Sequence, residues 1–68
     1  MSRQTTRLEV VAQGAKWMVR ELGIGRLSSH ATLAEASAAA RRVAADNTPC
    51  ELVIKKADGT TDSEQTFR

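Results

Sequence analysis

The sequence Ser28-Ser29-His30 brings together the residue types of a nucleophilic site. A serine becomes a nucleophile when a histidine takes its proton and an acid orients that histidine, with the three side chains facing one another. Neighbours on a short connecting segment rarely meet that geometry, and a function must be argued from an assembled site. We therefore expect these residues to be exposed in a linker or to cap the following helix.

The single cysteine, Cys50, and the single histidine, His30, leave little room for metal or thiol chemistry. A structural zinc site takes four Cys or His ligands, and a nucleophilic thiol needs a cation or a helix N-terminus that lowers its pKa. Cys50 instead follows Pro49 at the start of an apolar pattern, which is typical of a small buried hydrophobe. We expect no metal and no cofactor, and a free cysteine indicates a reducing, cytoplasmic location.

Other catalytic signals are missing from the sequence. It contains neither paired carboxylates at catalytic spacing nor a glycine-rich phosphate-binding loop. Without a nucleophile, a base or a ligand set in a defined arrangement, we expect that the protein is not an enzyme.

The chain has 68 residues, enough for one domain. A domain of this size buries only roughly 60% of its unfolded surface, so its core is thin. Small scaffolds often add a disulfide, a metal or a partner chain, and of these a partner chain remains. The net charge is +2, with +4 on residues 1–45 and −2 on residues 46–68. This small surplus is not a nucleic-acid signature by itself, but the two parts could attract each other within or between chains.

Hydrophobic periodicity predicts strands on both sides of one helix. Alternating patterns at residues 7–13 and 16–22, separated by Gly14-Ala15, indicate a β-hairpin. Residues 50–56 and 60–67 form a second pair around Asp58-Gly59, and the last strand is a polar edge strand anchored by Phe67.

The helix is predicted over residues 33–46. Thr32 and Glu35 form a capping box at its start, Asn47 is a C-terminal cap, and Pro49 ends it. Before the helix, Gly23-Ile24-Gly25 predicts a mobile loop that continues into a linker at residues 26–31. The inner stripe of the helix comprises Leu33, Ala36, Ser37, Ala40, Val43 and Ala44.

These elements predict an α+β fold of the ββαββ type. We expect a four-stranded antiparallel sheet in the order 2-1-3-4, with the helix packed on one face. Residues 1–6 should be a disordered N-terminal segment, and residues 7–68 a single domain. Trp17, the largest apolar residue, should pack on Ala36, Ala40 and Leu52.

One helix can cover only one face of such a sheet. Alternation leaves Val11, Met18, Leu22 and Val53 on the other face, with Met18 between the two valines. An apolar centre with a charged rim is typical of an interface, and the expected rim comprises Glu9, Lys16, Arg20, Glu51 and Lys55. Scattered surface hydrophobes are the alternative interpretation.

Several short motifs, taken in order, resemble a known family. They are Trp17-Met18-Val19, a basic segment with Arg26 and Ser28, Thr32-Leu33-Ala34-Glu35-Ala36, Ala39-Ala40-Arg41, Glu51-Leu52-Val53-Ile54, Asp58-Gly59 and Phe67. Over about residues 8–67 the chain resembles a family of short bacterial proteins catalogued as a domain of unknown function, number 2188. The resemblance implies a compact ββαββ domain and no particular activity.

Two functional hypotheses remain open. The first is a non-enzymatic interaction module, forming a homodimer or binding another protein through Val11, Met18, Arg20, Leu22 and Val53. The alternative is a nucleic-acid-binding module that uses Lys16, Arg20 and Lys55 on the sheet or Arg41 and Arg42 on the helix. Interspersed acids and the lack of exposed aromatics for base stacking weigh against it. No apolar run approaches the roughly 20 residues of a membrane span, so we expect no membrane partner.

Overall fold

The computed structural model of the chain describes residues 5–68. In this range the elements are β1 (Thr6–Gln13), β2 (Lys16–Glu21), β3 (Gly25–His30), α1 (Leu33–Asp46), β4 (Cys50–Lys55) and β5 (Thr61–Phe67). The strands form one mixed sheet in the order β3-β2-β1-β4-β5, and α1 packs against it. Residues 1–4 of the expected disordered segment lie outside the described residues, and Thr6 belongs to β1.

The first hairpin follows its alternating pattern. β1 and β2 are antiparallel, with Val10 opposite Val19 and Val11 opposite Met18. Gly14 turns the chain with φ 62°, in the left-handed region that favours glycine. The hydrophobic pattern and the turn residue together therefore set the register of this pair.

The expected linker at residues 26–31 is wrong, because the chain forms β3 there, whereas the expected break at Gly23-Ile24 is a turn. The amide of Ile24 donates to the carbonyl of Glu21 at 3.1 Å, and Gly23 has φ 91°, so the chain reverses tightly after β2. β3 then pairs antiparallel with β2, with a register shift beside Val19 and Arg20. Its sequence carries almost no hydrophobic alternation, which is the signal by which strands are recognised.

This additional strand also changes the sheet from antiparallel to mixed. β1 and β4 are parallel, with Leu8 opposite Leu52. β3 reverses the chain once more, so β3 runs in the same direction as β1. α1 then returns the chain to the end of the sheet at which β1 begins, and β4 therefore runs parallel to β1. The expected antiparallel arrangement is therefore wrong at this pairing. The expected order of the other four strands is correct, and α1 connects two parallel strands as a crossover.

Small side chains let α1 lie close to the sheet. The inward positions of α1 are buried at Ala36, Ser37, Ala40 and Ala44, while Leu33 and Val43 are partly buried. The predicted inner stripe is thereby confirmed. The buried apolar core comprises Leu8, Val10, Val19, Ala36, Ala40, Ala44, Cys50, Leu52 and Ile54.

The caps of α1 are confirmed. The amide of Glu35 donates to Oγ1 of Thr32 at 3.1 Å, and Oγ1 of Thr32 donates to the Glu35 carboxylate at 3.2 Å. At the other end the Asn47 side chain donates to the carbonyl of Val43 at 2.8 Å. The bonds of the Glu35 amide and the Val43 carbonyl satisfy backbone groups that a helix end leaves without partners, whereas the Glu35 carboxylate accepts from the Thr32 side chain.

Trp17 contacts the core at its margin. It is partly buried and packs against the cluster that contains Ala36 and Ala40. Trp17 lies opposite Ala12, whereas Leu52 lies opposite Leu8. Ala12 and Leu8 are separated by about 13 Å along β1, at about 3.3 Å per residue. The expected contact between Trp17 and Leu52 is therefore wrong.

The open face of the sheet as a candidate interface

The face of the sheet opposite α1 is called the open face here, because the helix covers only the other side. The strand registers assign its residues by alternation. They comprise Arg7, Glu9, Val11, Gln13, Lys16, Met18, Arg20, Arg26, Ser29, Glu51, Val53, Lys55, Thr61, Glu64 and Thr66.

An apolar group lies near the middle of the open face. Val11, Met18 and Val53 are each partly buried, although no helix lies over them. The strand order places Val11 on the central strand, with Met18 on one side and Val53 on the other. The expectation that Met18 lies between the two valines is thus wrong. Leu22 follows β2 in the turn, is 45% exposed, and donates its amide to the carbonyl of Arg7 at 2.9 Å.

Glu9 is the centre of an ion cluster beside this group. Its Oε1 accepts from Nε of Arg20 at 2.8 Å and lies 2.6 Å from Nη2, while its Oε2 lies 3.4 Å from Nζ of Lys55. The Glu9 side chain is only 12% exposed. The expected position of Glu9 on the rim is therefore wrong. The predicted strand order already placed β1 inside the sheet, but the parallel register that brings Lys55 of β4 to Glu9 was not predicted.

The pKa of Glu9 reflects two opposed effects. Burial raises the pKa, but the hydrogen bonds and charges of Arg20 and Lys55 together outweigh it, so the pKa lies below its ordinary value of 4.5. Glu9 is therefore ionised at neutral pH, and it neutralises cations that would otherwise repel each other across β1.

One row of residues crosses the whole open face. The registers set Arg26 beside Arg20, Arg20 beside Glu9, Glu9 beside Val53, and Val53 beside Glu64. Within residues 5–68 the ion pairs are Arg7–Glu51, Arg20–Glu9 and Lys55–Glu9. The charges at the two ends of the row, Arg26 and Glu64, therefore have no ionic partner in the described chain. The sequence analysis identifies neither residue as part of a site. Arg26 is missed because its segment is predicted as a linker and not as a strand.

The candidate nucleic-acid contacts fall on opposite sides of the molecule. Lys16, Arg20 and Lys55 lie on the open face, and two of them pair with Glu9. Arg41 and Arg42 are exposed on α1, which covers the other face. The structure therefore does not gather these five cations into one basic surface.

Ser28 and His30 lie on the helix side of β3, opposite Val19 and Trp17. Oγ of Ser28 lies 2.8 Å from Nε2 of His30, and both residues are partly buried. The expectation that this segment is an exposed linker is wrong for these two residues, whereas Ser29 is exposed. Among the side-chain hydrogen bonds of the described chain, none joins a carboxylate to His30. The pair therefore lacks the acid that orients a catalytic histidine.

Cys50 is buried, as predicted. Burial raises the pKa of its thiol, and the charges of Glu21 and Glu51 raise it further, so the reactive thiolate is disfavoured. Residues 5–68 contain no group of three metal-ligating side chains. No helix in that range is long and apolar enough to cross a bilayer.

The family comparison agrees with the motifs of the sequence. A family model described as an uncharacterized protein conserved in bacteria, DUF2188, matches residues 8–67. No curated protein and no solved structure matches the chain significantly. The matched span covers α1 and the strands β2 to β5 completely, and it covers β1 except for Thr6 and Arg7. The chain belongs to the DUF2188 family of uncharacterised bacterial proteins.

Proposed function

We propose that the protein is a non-enzymatic interaction module that self-associates through the open face. The observation that supports this proposal is the partly buried group of Val11, Met18 and Val53 on a sheet face that carries no helix. The neighbouring ion cluster keeps Glu9, Arg20 and Lys55 in a fixed arrangement around it. An apolar centre with a polar surround is how stable interfaces are built.

The size of the open face favours a weak dimer. Five strands about 4.8 Å apart, each of about six residues at about 3.3 Å, present roughly 400 Å² of flat area. Two such faces make roughly 800 Å² of flat area, which lies below the roughly 1,200 Å² at which stable specific interfaces begin and in the range of weak, transient contacts. We therefore expect a dissociation constant on the order of micromolar, which corresponds to about 8 kcal/mol. Because the core is thin, association should also stabilise the fold by mass action.

Met18→Asp tests this use of the open face. In a dimer the new carboxylate would replace an apolar side chain at the centre of the contact and would lose its hydration, which weakens association. Sedimentation velocity over a range of concentrations should show dimers for the wild type and monomers for Met18→Asp. Ala38→Asp is the matched control, because Ala38 is exposed on α1 at the other side of the molecule. That control should remain dimeric.

Two results would reject self-association. One is a wild-type protein that sediments as a monomer at every concentration. The other is a thermal midpoint that is independent of concentration, together with a Met18→Asp variant that behaves as the wild type does.

The nucleic-acid alternative is weaker on electrostatic grounds. Glu9 pairs with both Arg20 and Lys55 and cancels one of their two charges, and Arg41 and Arg42 lie on the far side. A salt-sensitive shift of mixed-sequence DNA or RNA by the purified protein would favour it over self-association.

A further inference from the structure

We propose that the partner on the open face is a second copy of this chain, related by a two-fold axis that runs parallel to β1. This inference rests on the proposed self-association and adds its orientation. The two copies would face each other so that the β2–β3 half of one lies over the β4–β5 half of the other.

The open face has two electrostatically different halves. The β2–β3 half carries Lys16, Arg20 and Arg26 and no acid. The β4–β5 half carries Glu51 and Glu64 with the single cation Lys55. β1 lies between the halves, and it carries one cation and one acid on this face, Arg7 and Glu9.

Symmetry then distinguishes two ways of stacking the sheets. Rotation about an axis parallel to β1 exchanges the halves, so that the cationic half of each copy meets the acidic half of the other. A two-fold axis that lies in the interface but runs perpendicular to the strands places the β2–β3 half of one copy over the β2–β3 half of the other. Like charges then face each other. Facing potentials of opposite sign favour the first arrangement.

The unpaired charges fit the same arrangement. Arg26 and Glu64 end one row that crosses the sheet, with β1 at its middle. A two-fold axis that lies over β1 and runs parallel to it keeps that row in place and exchanges its ends, so Arg26 of each copy lies over Glu64 of the other. The two Glu9 carboxylates, each bound by Arg20 and Lys55, then meet at the axis. Stacked sheets are about 10 Å apart, a gap that long arginine and glutamate side chains from the two sides can span. The isologous contact occurs twice in each dimer.

Charge exchange tests the orientation. Arg26→Glu and Glu64→Arg should each weaken dimerisation by roughly tenfold, since each replaces two facing attractions with two repulsions. The double variant Arg26→Glu/Glu64→Arg restores opposite charges and should return the dissociation constant to within about threefold of the wild type. Sedimentation equilibrium measures all four proteins.

The single variants should fold. Arg26 and Glu64 are exposed, and Arg26→Glu replaces a like-charge neighbour of Arg20 with an opposite charge. Thermal melts at concentrations below dimerisation should therefore show Arg26→Glu at least as stable as the wild type, which separates loss of association from loss of folding.

Each outcome bears on one proposal. Single variants that dimerise as the wild type does, or a double variant no better than the singles, would overturn the orientation while leaving self-association in place. A monomeric wild type would overturn both.

Discussion

Glu9 carries the clearest residue-scale consequence of this fold. Its carboxylate is nearly enclosed and binds Arg20 and Lys55 from the strands on either side of β1. The Glu9 side chain on β1 thus forms ion pairs with cations on both neighbouring strands, β2 and β4. Burying an ionised carboxylate costs free energy, and the hydrogen bonds and charges of Arg20 and Lys55 offset that cost only while both cations are present.

Acid should remove the contribution of Glu9 to stability. Its pKa is lower in the folded chain than the ordinary value of 4.5, so the folded state binds fewer protons than the unfolded state. The contribution is therefore complete above that value and is lost as the pH falls through the folded pKa. Urea midpoints of the wild type should fall between about pH 5 and pH 3, and those of Glu9→Gln should fall less.

The comparison with Glu9→Gln isolates this residue from other acids. Asp58 also has a lowered pKa, caused by hydrogen bonds from Thr60, and it remains in both proteins. At neutral pH the variant should be less stable, and the two stability curves should converge in acid. Parallel curves over that range would contradict the assigned role of the cluster.

At the scale of the elements, α1 was the most predictable. Its bounds, caps and inner stripe follow from local signals, since a capping box and a helix-ending proline act within a few residues. The hydrogen bonds at Thr32 and Asn47 confirm both ends. Such signals require no knowledge of the rest of the fold.

The N-cap predicts a specific loss of stability. Thr32→Ala removes the oxygen that accepts the Glu35 amide, and it should lower the free energy of unfolding by about 1 kcal/mol. Thr32→Ser keeps an acceptor oxygen and should stay close to the wild type. Urea unfolding of the three proteins provides the measurement. Equal losses for both variants would show that packing, not capping, explains the effect.

β3 was the least predictable element, and the reason is physical. Its helix-facing residues Ser28 and His30 are polar, and they satisfy each other at 2.8 Å rather than adding to the apolar core. What places β3 is pairing with β2 after a tight turn at Gly23, a tertiary effect that hydrophobic alternation does not report. One unrecognised strand then reversed the predicted direction of β4 relative to β1.

At the scale of the whole molecule, the open face was predictable in composition but not in arrangement. Alternation assigned Val11, Met18 and Val53 to one face, and the structure agrees. The direction and register of neighbouring strands decide which charges meet, so the contacts of Glu9 and the row from Arg26 to Glu64 required the assembled sheet. The separation of Arg41 and Arg42 from the sheet cations was predictable, because a helix that covers one face exposes its outer side away from the open face.

Salt dependence of dimerisation provides the last prediction, and its sign depends on the orientation. If cationic and acidic halves face each other, raising the ionic strength screens attraction, and the dimer should weaken. Between about 0.05 M and 0.5 M salt the screening length falls from roughly 14 Å to roughly 4 Å, below the spacing of stacked sheets. If like halves faced each other, the same salt would screen repulsion, and the dimer should tighten.

Sedimentation equilibrium of the wild type and of Arg26→Glu/Glu64→Arg at both salt concentrations gives the sign. Both proteins should show weaker association in high salt, because exchange of the two charges preserves their attraction across the interface. The single variant Arg26→Glu should lose this dependence or reverse it, since its facing charges repel. A wild-type dimer that tightens with salt would contradict the proposed orientation, because screening would then relieve repulsion rather than weaken an attraction between the facing halves.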